Sequence, residues 1–235
     1  MDELNLKPIA YIRTDFPEKF GIPRQSGIIP EIKGKIVFEP EFRDANALRE
    51  IEQYTHLWLI WGFSDNRKKE GWEPTVRPPR LGGNVRVGVF ASRSPYRPNP
   101  LGLTVVKLEK TEDTKEGKVL IVSGPDMKDM TPIYDIKPYL PYVDAIPEAS
   151  DGFALNKKEG SLKVEFEPRA ASAMDEEKRI VLEKVLSQDP RPQYQDEPGR
   201  IYKMSFGNME IEFTVENDRV LVRNVEKRTD KSGKS

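Results

Sequence analysis

With 38 lysines and arginines against 39 aspartates and glutamates over 235 residues, the chain is close to neutral. It is long enough for one large domain or for one domain with a smaller appendage. It has no cysteine, which excludes disulfides, Cys-zinc sites, iron–sulfur ligation and thiol nucleophiles together and suits a reducing compartment. Its one histidine, His56, opens the most apolar segment, where a structural role is commoner than a catalytic one. That leaves no Ser-His-Asp or Cys-His dyad and no His-rich metal spacing, so an enzyme built on this chain must use a carboxylate, a tyrosine or a bound cofactor. The N-terminus lacks a targeting pattern, and no run approaches the ~20 apolar residues of a membrane span. A cytoplasmic protein is expected.

In chain order, residues 7–14, 35–39, 55–63, 84–91, 103–110 and 118–123 are short and rich in Ile, Val, Leu, Phe and Trp. Gly or Pro clusters separate most of them, and they read as strands. Only Asp44 to Gln53 reads as a helix in this half, with Asp44 as N-cap and Leu48 and Ile51 on one face. Antiparallel connections follow from the short intervals, and the class is mainly β, a barrel or a sandwich. From Thr131 the prolines are too frequent for a central strand, so the segment is expected to run extended over the surface. A linker follows at 144–152. Beyond it come a strand near Leu162 to Phe166, a helix from Met174 to Leu186, and a three-strand meander turning at Gly207-Asn208 and Asn217-Asp218. The expected domains are residues 1–149 and a small α+β unit at 150–226, with a frayed tail at 227–235.

Charge is concentrated in one place. Between positions 67 and 107 there are nine Lys and Arg (67, 68, 69, 77, 80, 86, 93, 97 and 107) against Glu70 and Glu73. Such an excess suits phosphate or another polyanion. Within it, Gly82-Gly83 leads into Asn84-Val-Arg-Val-Gly-Val-Phe, and Arg93-Ser-Pro-Tyr-Arg-Pro-Asn-Pro follows. Glycines at a hairpin are common, but a loop with three prolines can hold guanidinium groups in place at low entropic cost. Trp72 is a candidate for stacking on a base, with core packing as the alternative. Asp126 and Asp129 offer two carboxylates in a loop, where Asx-turn capping is the commoner use.

Three long motifs in order, Arg77-Pro-Pro-Arg-Leu-Gly-Gly-Asn, Phe90-Ala-Ser-Arg-Ser-Pro-Tyr-Arg-Pro-Asn-Pro-Leu-Gly and Asp135-Ile-Lys-Pro-Tyr-Leu-Pro-Tyr, resemble the TrmO/TsaA-like (YaeB) family. Pro23-Arg-Gln, His56-Leu-Trp and Gln188-Asp-Pro-Arg-Pro-Gln-Tyr are similar to their family counterparts, so the resemblance covers both expected domains. It implies an S-adenosylmethionine-dependent tRNA methyltransferase acting on N6 of threonylcarbamoyladenosine beside the anticodon. The implied fold is a single-sheet β-barrel catalytic domain, and the implied assembly is a homodimer.

The resemblance also implies a cofactor site of Pro23, Arg24, Gln25, Arg93, Leu103 and the loop Asp126-Met127-Lys128-Asp129. A polar turn after Phe63 belongs with it, as Ser64-Asp65 or Asp65-Asn66. A sulfonium carries an activated methyl group, so the protein supplies alignment and electrostatics, and the lack of a histidine base is no objection. The target nitrogen is conjugated to a carbamoyl group, which calls for a general base or acceptor; Asp126, Tyr134 and Asp135 are the candidates. Arg77, Arg80, Arg86, Arg97 and Lys137, with Asn99 and Tyr139, are assigned to tRNA phosphates or to the threonyl carboxylate. Some of these arginines could instead bridge subunits. The C-terminal unit is expected to grip the anticodon loop through Asp189-Pro-Arg-Pro-Gln-Tyr. Two readings compete: a noncatalytic tRNA-binding module and an S-adenosylmethionine-binding sensor.

Overall fold

Period-two alternation governs the first half of the chain. In the strand His56–Gly62, Leu57, Leu59 and Trp61 are buried while Trp58 and Ile60 between them are only partly so. Each buried leucine or isoleucine on such a face contributes about 1.5–3 kcal/mol. The computed structural model describes residues 4–63, 72–78, 84–155, 161–191, 197 and 199–228.

Six strands carry this alternation: β1 (Ala10–Arg13), β2 (Lys33–Phe38), β3 (His56–Gly62), β6 (Leu101–Thr114), β7 (Gly117–Ser123) and β8 (Thr131–Pro138). Their pairing runs β1-β2-β7-β6-β3-β8 and returns to β1, every pair antiparallel, as a closed barrel. Ile12, Ile36, Leu57, Leu59, Leu120, Val122 and Ile133 fill it. Two short strands, β4 (Thr75–Val76) and β5 (Val87–Gly88), pair outside this circuit.

Three sequence expectations are corrected. The helix expected over 44–53 is a pair of short 3₁₀ turns, Ala45–Leu48 and Ile51–Gln53, with a third, Pro40–Phe42, just before it. Asp44 does cap, accepting from the Asn46 peptide N–H at 2.9 Å, but Glu50 adopts φ 66°, which no helix continues through. The strand expected over 84–91 is two residues long before the chain turns at Val89–Ala91. The proline-rich segment from Thr131 is a central barrel strand. Pro132 and Pro138 occupy its second and last positions, near the two ends of the strand, and Ile133 and Asp135 to Pro138 lie opposite β3.

Near the end of the barrel Trp61 lies directly opposite Gly102. A Cβ on Gly102 would sit 2.2 Å from Trp61 Cε2, so glycine is what lets the indole lie flat across β6.

After a short helix α1 (Pro141–Asp144), residues 163–227 build a second layer. β10 (Ile201–Phe206), β11 (Met209–Glu216) and β12 (Arg219–Lys227) form the expected meander, and β9 (Lys163–Phe166) joins β12 in parallel. Helix α2 (Pro168–Ser172) precedes α3 (Glu176–Ser187). The α3 N-cap is Asp175, whose carboxylate accepts from the Lys178 N–H at 2.9 Å, and Val181, Leu182, Val185 and Leu186 are its buried residues. The core of this layer also receives Phe16, Ile29 and Ile32, with Phe20 and Ile22 packed on it, from the long β1–β2 connection. Among the described residues, no helix is long and apolar enough to cross a membrane.

Replacing Gly102 with alanine should lower stability by about 1–3 kcal/mol through overpacking against Trp61. Urea unfolding measures this, and a midpoint equal to that of the parent protein would contradict the packing argument.

Candidate functional site

Where β3 ends, the chain leaves an open cavity of about 230 Å³ at one end of the barrel. Trp61, Gly62 and Phe63 form one wall, and Asp126, Met127, Lys128 and Thr131 the floor. Lys19, Ile22 and Pro23 from the β1–β2 connection close the side, and Pro95 of the proline-stiffened loop sits at the edge. The lining is mixed: aromatic and aliphatic surface, two lysines and a single carboxylate, Asp126.

That carboxylate is held from several directions. Thr104 donates its hydroxyl to Asp126 Oδ1 at 2.9 Å, and the Trp61 indole N–H donates to Thr104 Oγ1 at 2.9 Å. The direction of this chain is forced. An indole N–H can only donate, so Thr104 accepts from it and spends its own proton on Asp126. The Ser26 and Asp126 peptide groups and the Arg93 guanidinium also favour its ionised form. Burial nevertheless dominates and pushes the Asp126 carboxyl above its ordinary value. Arg93 in turn donates through Nη1 to Gln25 Oε1. The structure thus brings Pro23, Gln25, Arg93, Asp126, Met127 and Lys128 together.

Other members of the expected cofactor set are placed differently. Arg24 turns outward and donates to the Asp189 carbonyl at 3.3 Å. The Asp129 carboxylate accepts from Arg13 Nε and from the Thr14 N–H, both at 3.0 Å, and so ties the loop to the end of β1. Leu103 is 59% exposed, between the buried Thr104 and the glycine opposite Trp61, and does not line the cavity. Ser64, Asp65 and Asn66 lie outside the described residues, as do Arg80 and Gly82-Gly83.

The candidate bases separate clearly. A β-bulge interrupts the β3–β8 register: Ile60 faces Asp135 and Trp61 faces Ile133, leaving Tyr134 as the extra residue. The bulge lays the Tyr134 ring on Gly62, where a Cβ would come within 2.7 Å of Cε2 and 2.9 Å of the phenol oxygen. Gly62 is itself a cavity wall, so the phenol stands at the cavity's border. Asp135 accepts from the Ile136 N–H at 2.9 Å and pairs with Lys137 at 3.0 Å, away from the cavity lining.

In the arginine-rich stretch, Arg86 donates to Thr75 Oγ1 at 3.0 Å and Arg97 to the Ser92 carbonyl at 3.2 Å, so each braces its own loop. Arg77 and Asn99 are exposed. Trp72 and Phe90 lie 6.0 Å apart, 54% and 72% exposed, as an aromatic surface beside the arginines. Tyr139 packs on Trp58 and His56, with ring centroids 5.6 and 6.3 Å apart.

Sequence reasoning missed Thr104 and the polar use of Trp61. A threonine on the inward face of β6, between Gly102 and Val106, was the available signal, since a buried hydroxyl needs a partner. Lys19 and Ile22 carried no signal of their own.

Thr104→Val keeps the shape while leaving the Trp61 N–H and Asp126 Oδ1 without this partner, and should cost about 1–3 kcal/mol in urea unfolding, with Thr104→Ser close to the parent. The raised Asp126 carboxyl sets a pH dependence with a definite sign. The folded state binds this proton more tightly than the unfolded chain, so the contribution is fully present below the ordinary carboxylate value and is lost as pH rises through the raised one. Asp126→Asn should abolish that component in melting scans across acidic pH; an unchanged pH profile would refute it.

Comparison with known proteins follows the same geography. The family model described as tRNA-methyltransferase O N-terminal domain matches residues 11–145, and that described as TrmO C-terminal domain matches residues 159–228. A tRNA (adenine(37)-N6)-methyltransferase of Escherichia coli K12 is 36% identical over 223 residues, covering 92% of this chain and 94% of its own. A Pseudomonas aeruginosa relative, 40% identical over 215 residues (88% of this chain, 90% of its own), carries a name describing an S-adenosylmethionine-dependent methyltransferase. The crystal structure of TrmO from P. aeruginosa superposes with a TM-score of 0.77 at 33% identity, covering 97% of this chain and 99% of that one. The barrel end with its Asp126 cavity falls within the first matched segment and the second sheet layer within the other, and the chain belongs to the tRNA-methyltransferase O family.

Proposed function

We propose that this protein is an S-adenosylmethionine-dependent tRNA methyltransferase that transfers a methyl group to N6 of adenosine 37, in its threonylcarbamoylated form. The observation that carries the reading is the convergence of Gln25, Arg93 and Asp126 beside a cavity with an apolar wall. These residues suit the methyl donor. Pro23, Ile22, Met127 and Phe63 offer surface to a planar base, Asp126 an acceptor for hydroxyl or ammonium groups, and Arg93, Lys19 and Lys128 charge for a carboxylate. When bound, the sulfonium supplies the activated methyl group. The chain's own task is to hold that group and the target nitrogen in line.

The cavity's volume is below the ~300 Å³ lower range of small-molecule sites. The site is therefore completed by other surfaces, and we assign that role to the tRNA and to a second copy of the chain in a homodimer. The exposed Trp72–Phe90 pair and Arg77 form the adjoining face for the anticodon loop, with Arg86 and Arg97 shaping their loops from within. We place the catalytic barrel in residues 1–149 and a smaller unit in 150–226, and the setting is cytoplasmic.

Of the three candidate bases, Asp126 lines the cavity and Tyr134 borders it, whereas Asp135 is committed to Lys137. Incubation with S-adenosylmethionine and threonylcarbamoylated tRNA, followed by nucleoside mass spectrometry, should show one added methyl group on the modified adenosine. In single-turnover assays, Asp126→Asn and Tyr134→Phe should each lose about 10²-fold or more, and Asp135→Asn less than about tenfold. Cofactor binding without any methylation would favour the sensor reading, and RNA binding without cofactor the noncatalytic module.

A further inference from the structure

The cavity wall formed by Lys19, Ile22 and Pro23 belongs to a connection whose apolar anchors are not in the barrel. Phe16, Ile29 and Ile32 are at most 3% exposed in the core built with α3 and β10–β12, and Ile22 touches both that core and the cavity. Phe16 meets Phe206 edge-on at 5.7 Å, and Phe20 stacks on Phe213 at 6.3 Å. Gly21 adopts φ 93° with its backbone directly on Met204; a Cβ there would lie 2.2 Å from the sulfur. Polar contacts repeat the pattern: the Gly207 N–H donates to the Asp15 carbonyl at 2.6 Å, and Ser205 Oγ to Glu18 Oε1 at 3.0 Å.

A second brace comes from the turn Asp189-Pro190-Arg191. Asp189 adopts φ 49°, and Arg191 grips its carboxylate with Nε at 2.8 Å and Nη2 at 3.0 Å. The Arg191 side chain is only 10% exposed and lies against the Tyr202 ring. A turn locked by its own ion pair leaves the Asp189 carbonyl in place to receive Arg24.

We infer that the C-terminal layer is a positioning element of the cofactor site, in which Met204 and the Asp189–Arg191 turn hold the Gly21–Gln25 wall against the barrel. This assigns the described part of the Asp189-Pro-Arg motif to the cofactor wall instead of to RNA. The inference rests on the cofactor reading of the cavity given above. On the barrel side the same segment is fixed by the Gly27 N–H to the Gly124 carbonyl at 2.9 Å. The wall is thus clamped between two cores, and loosening either clamp lowers the fraction of molecules with the wall in place.

The test uses the full-length protein, with calorimetry of S-adenosylmethionine binding and of a free anticodon stem-loop, and steady-state methylation. If releasing one clamp leaves about a tenth of molecules competent, apparent cofactor affinity falls about tenfold. Met204→Ala and Arg191→Lys should each raise the cofactor Kd and KM by about that factor, with stem-loop affinity within about twofold and kcat at saturation nearly unchanged. Met204→Leu, which keeps the volume, should restore cofactor binding. If Met204→Ala does not fold, Arg191→Lys at the surface of the core decides. Cofactor affinity unchanged in Arg191→Lys while stem-loop affinity falls would overturn the inference and return the motif to RNA. Parallel loss of both affinities in Met204→Ala that Met204→Leu does not restore would overturn it too. A parent protein that does not bind S-adenosylmethionine at all would instead overturn the cofactor reading.

Discussion

A carboxylate withdrawn from water must be answered by donors, and in this protein three separate parts of the chain answer Asp126. The barrel answers through Trp61 and Thr104, the arginine-rich loop through the charge of Arg93, and the β1–β2 connection through the Ser26 peptide group, which favours the ionised form. Desolvation still outweighs them and holds the carboxyl above its ordinary value. The balance has a structural consequence. Any displacement of one of these three parts leaves a half-buried anion short of donors, and such a loss is expensive in a low-dielectric setting. Asp126 is therefore a joint as well as a member of the site, and the cavity takes its shape from the parts it joins.

Two close approaches make the joint possible. Gly102 lets the Trp61 indole cross β6 and reach Thr104, while Gly62 lets the Tyr134 ring lie on β3 beside the cavity wall. In both places the missing Cβ is the feature selected by the packing, because the atom it would meet belongs to an aromatic ring held by the strand opposite. The bulge at Tyr134 adds a further step. It inserts one residue into β8 and so changes which side chains share a face, without breaking the barrel circuit.

The legibility of these features in the sequence follows from their range. Strands and the meander were readable because period-two burial is local, as in Leu57, Leu59 and Trp61. Residues 44–53 misled because Asp44 caps a turn as well as a helix, and apolar residues three apart suit successive 3₁₀ turns. Pro132 and Pro138 mislead because a strand tolerates proline near its ends, and the number of prolines does not show their position in the strand. At the site, Gln25, Arg93 and Asp126 were named through family resemblance, yet their convergence spans 101 positions, 25 to 126, which no local pattern encodes. Thr104 escaped because one threonine on a strand is ordinary until its neighbours across the barrel are known.

The same long range bears on why a methyl-transfer site would be built between two cores. The transferred group arrives already activated, so rate depends on how narrowly donor and acceptor are held, and an angstrom of misplacement can cost about a hundredfold. A cavity wall on a free surface loop would sample many positions. Here the connection from Thr14 to Ile32 buries Phe16, Ile29 and Ile32 in one core and bonds to Gly124 of the other, so its polar tip, Pro23-Arg24-Gln25, is short relative to its anchors. Burial of those anchors on one side and hydrogen bonding on the other convert the stability of two layers into rigidity at one place. On this view the basic stretch supplies attraction for the RNA, and precision comes from apolar residues that never touch it.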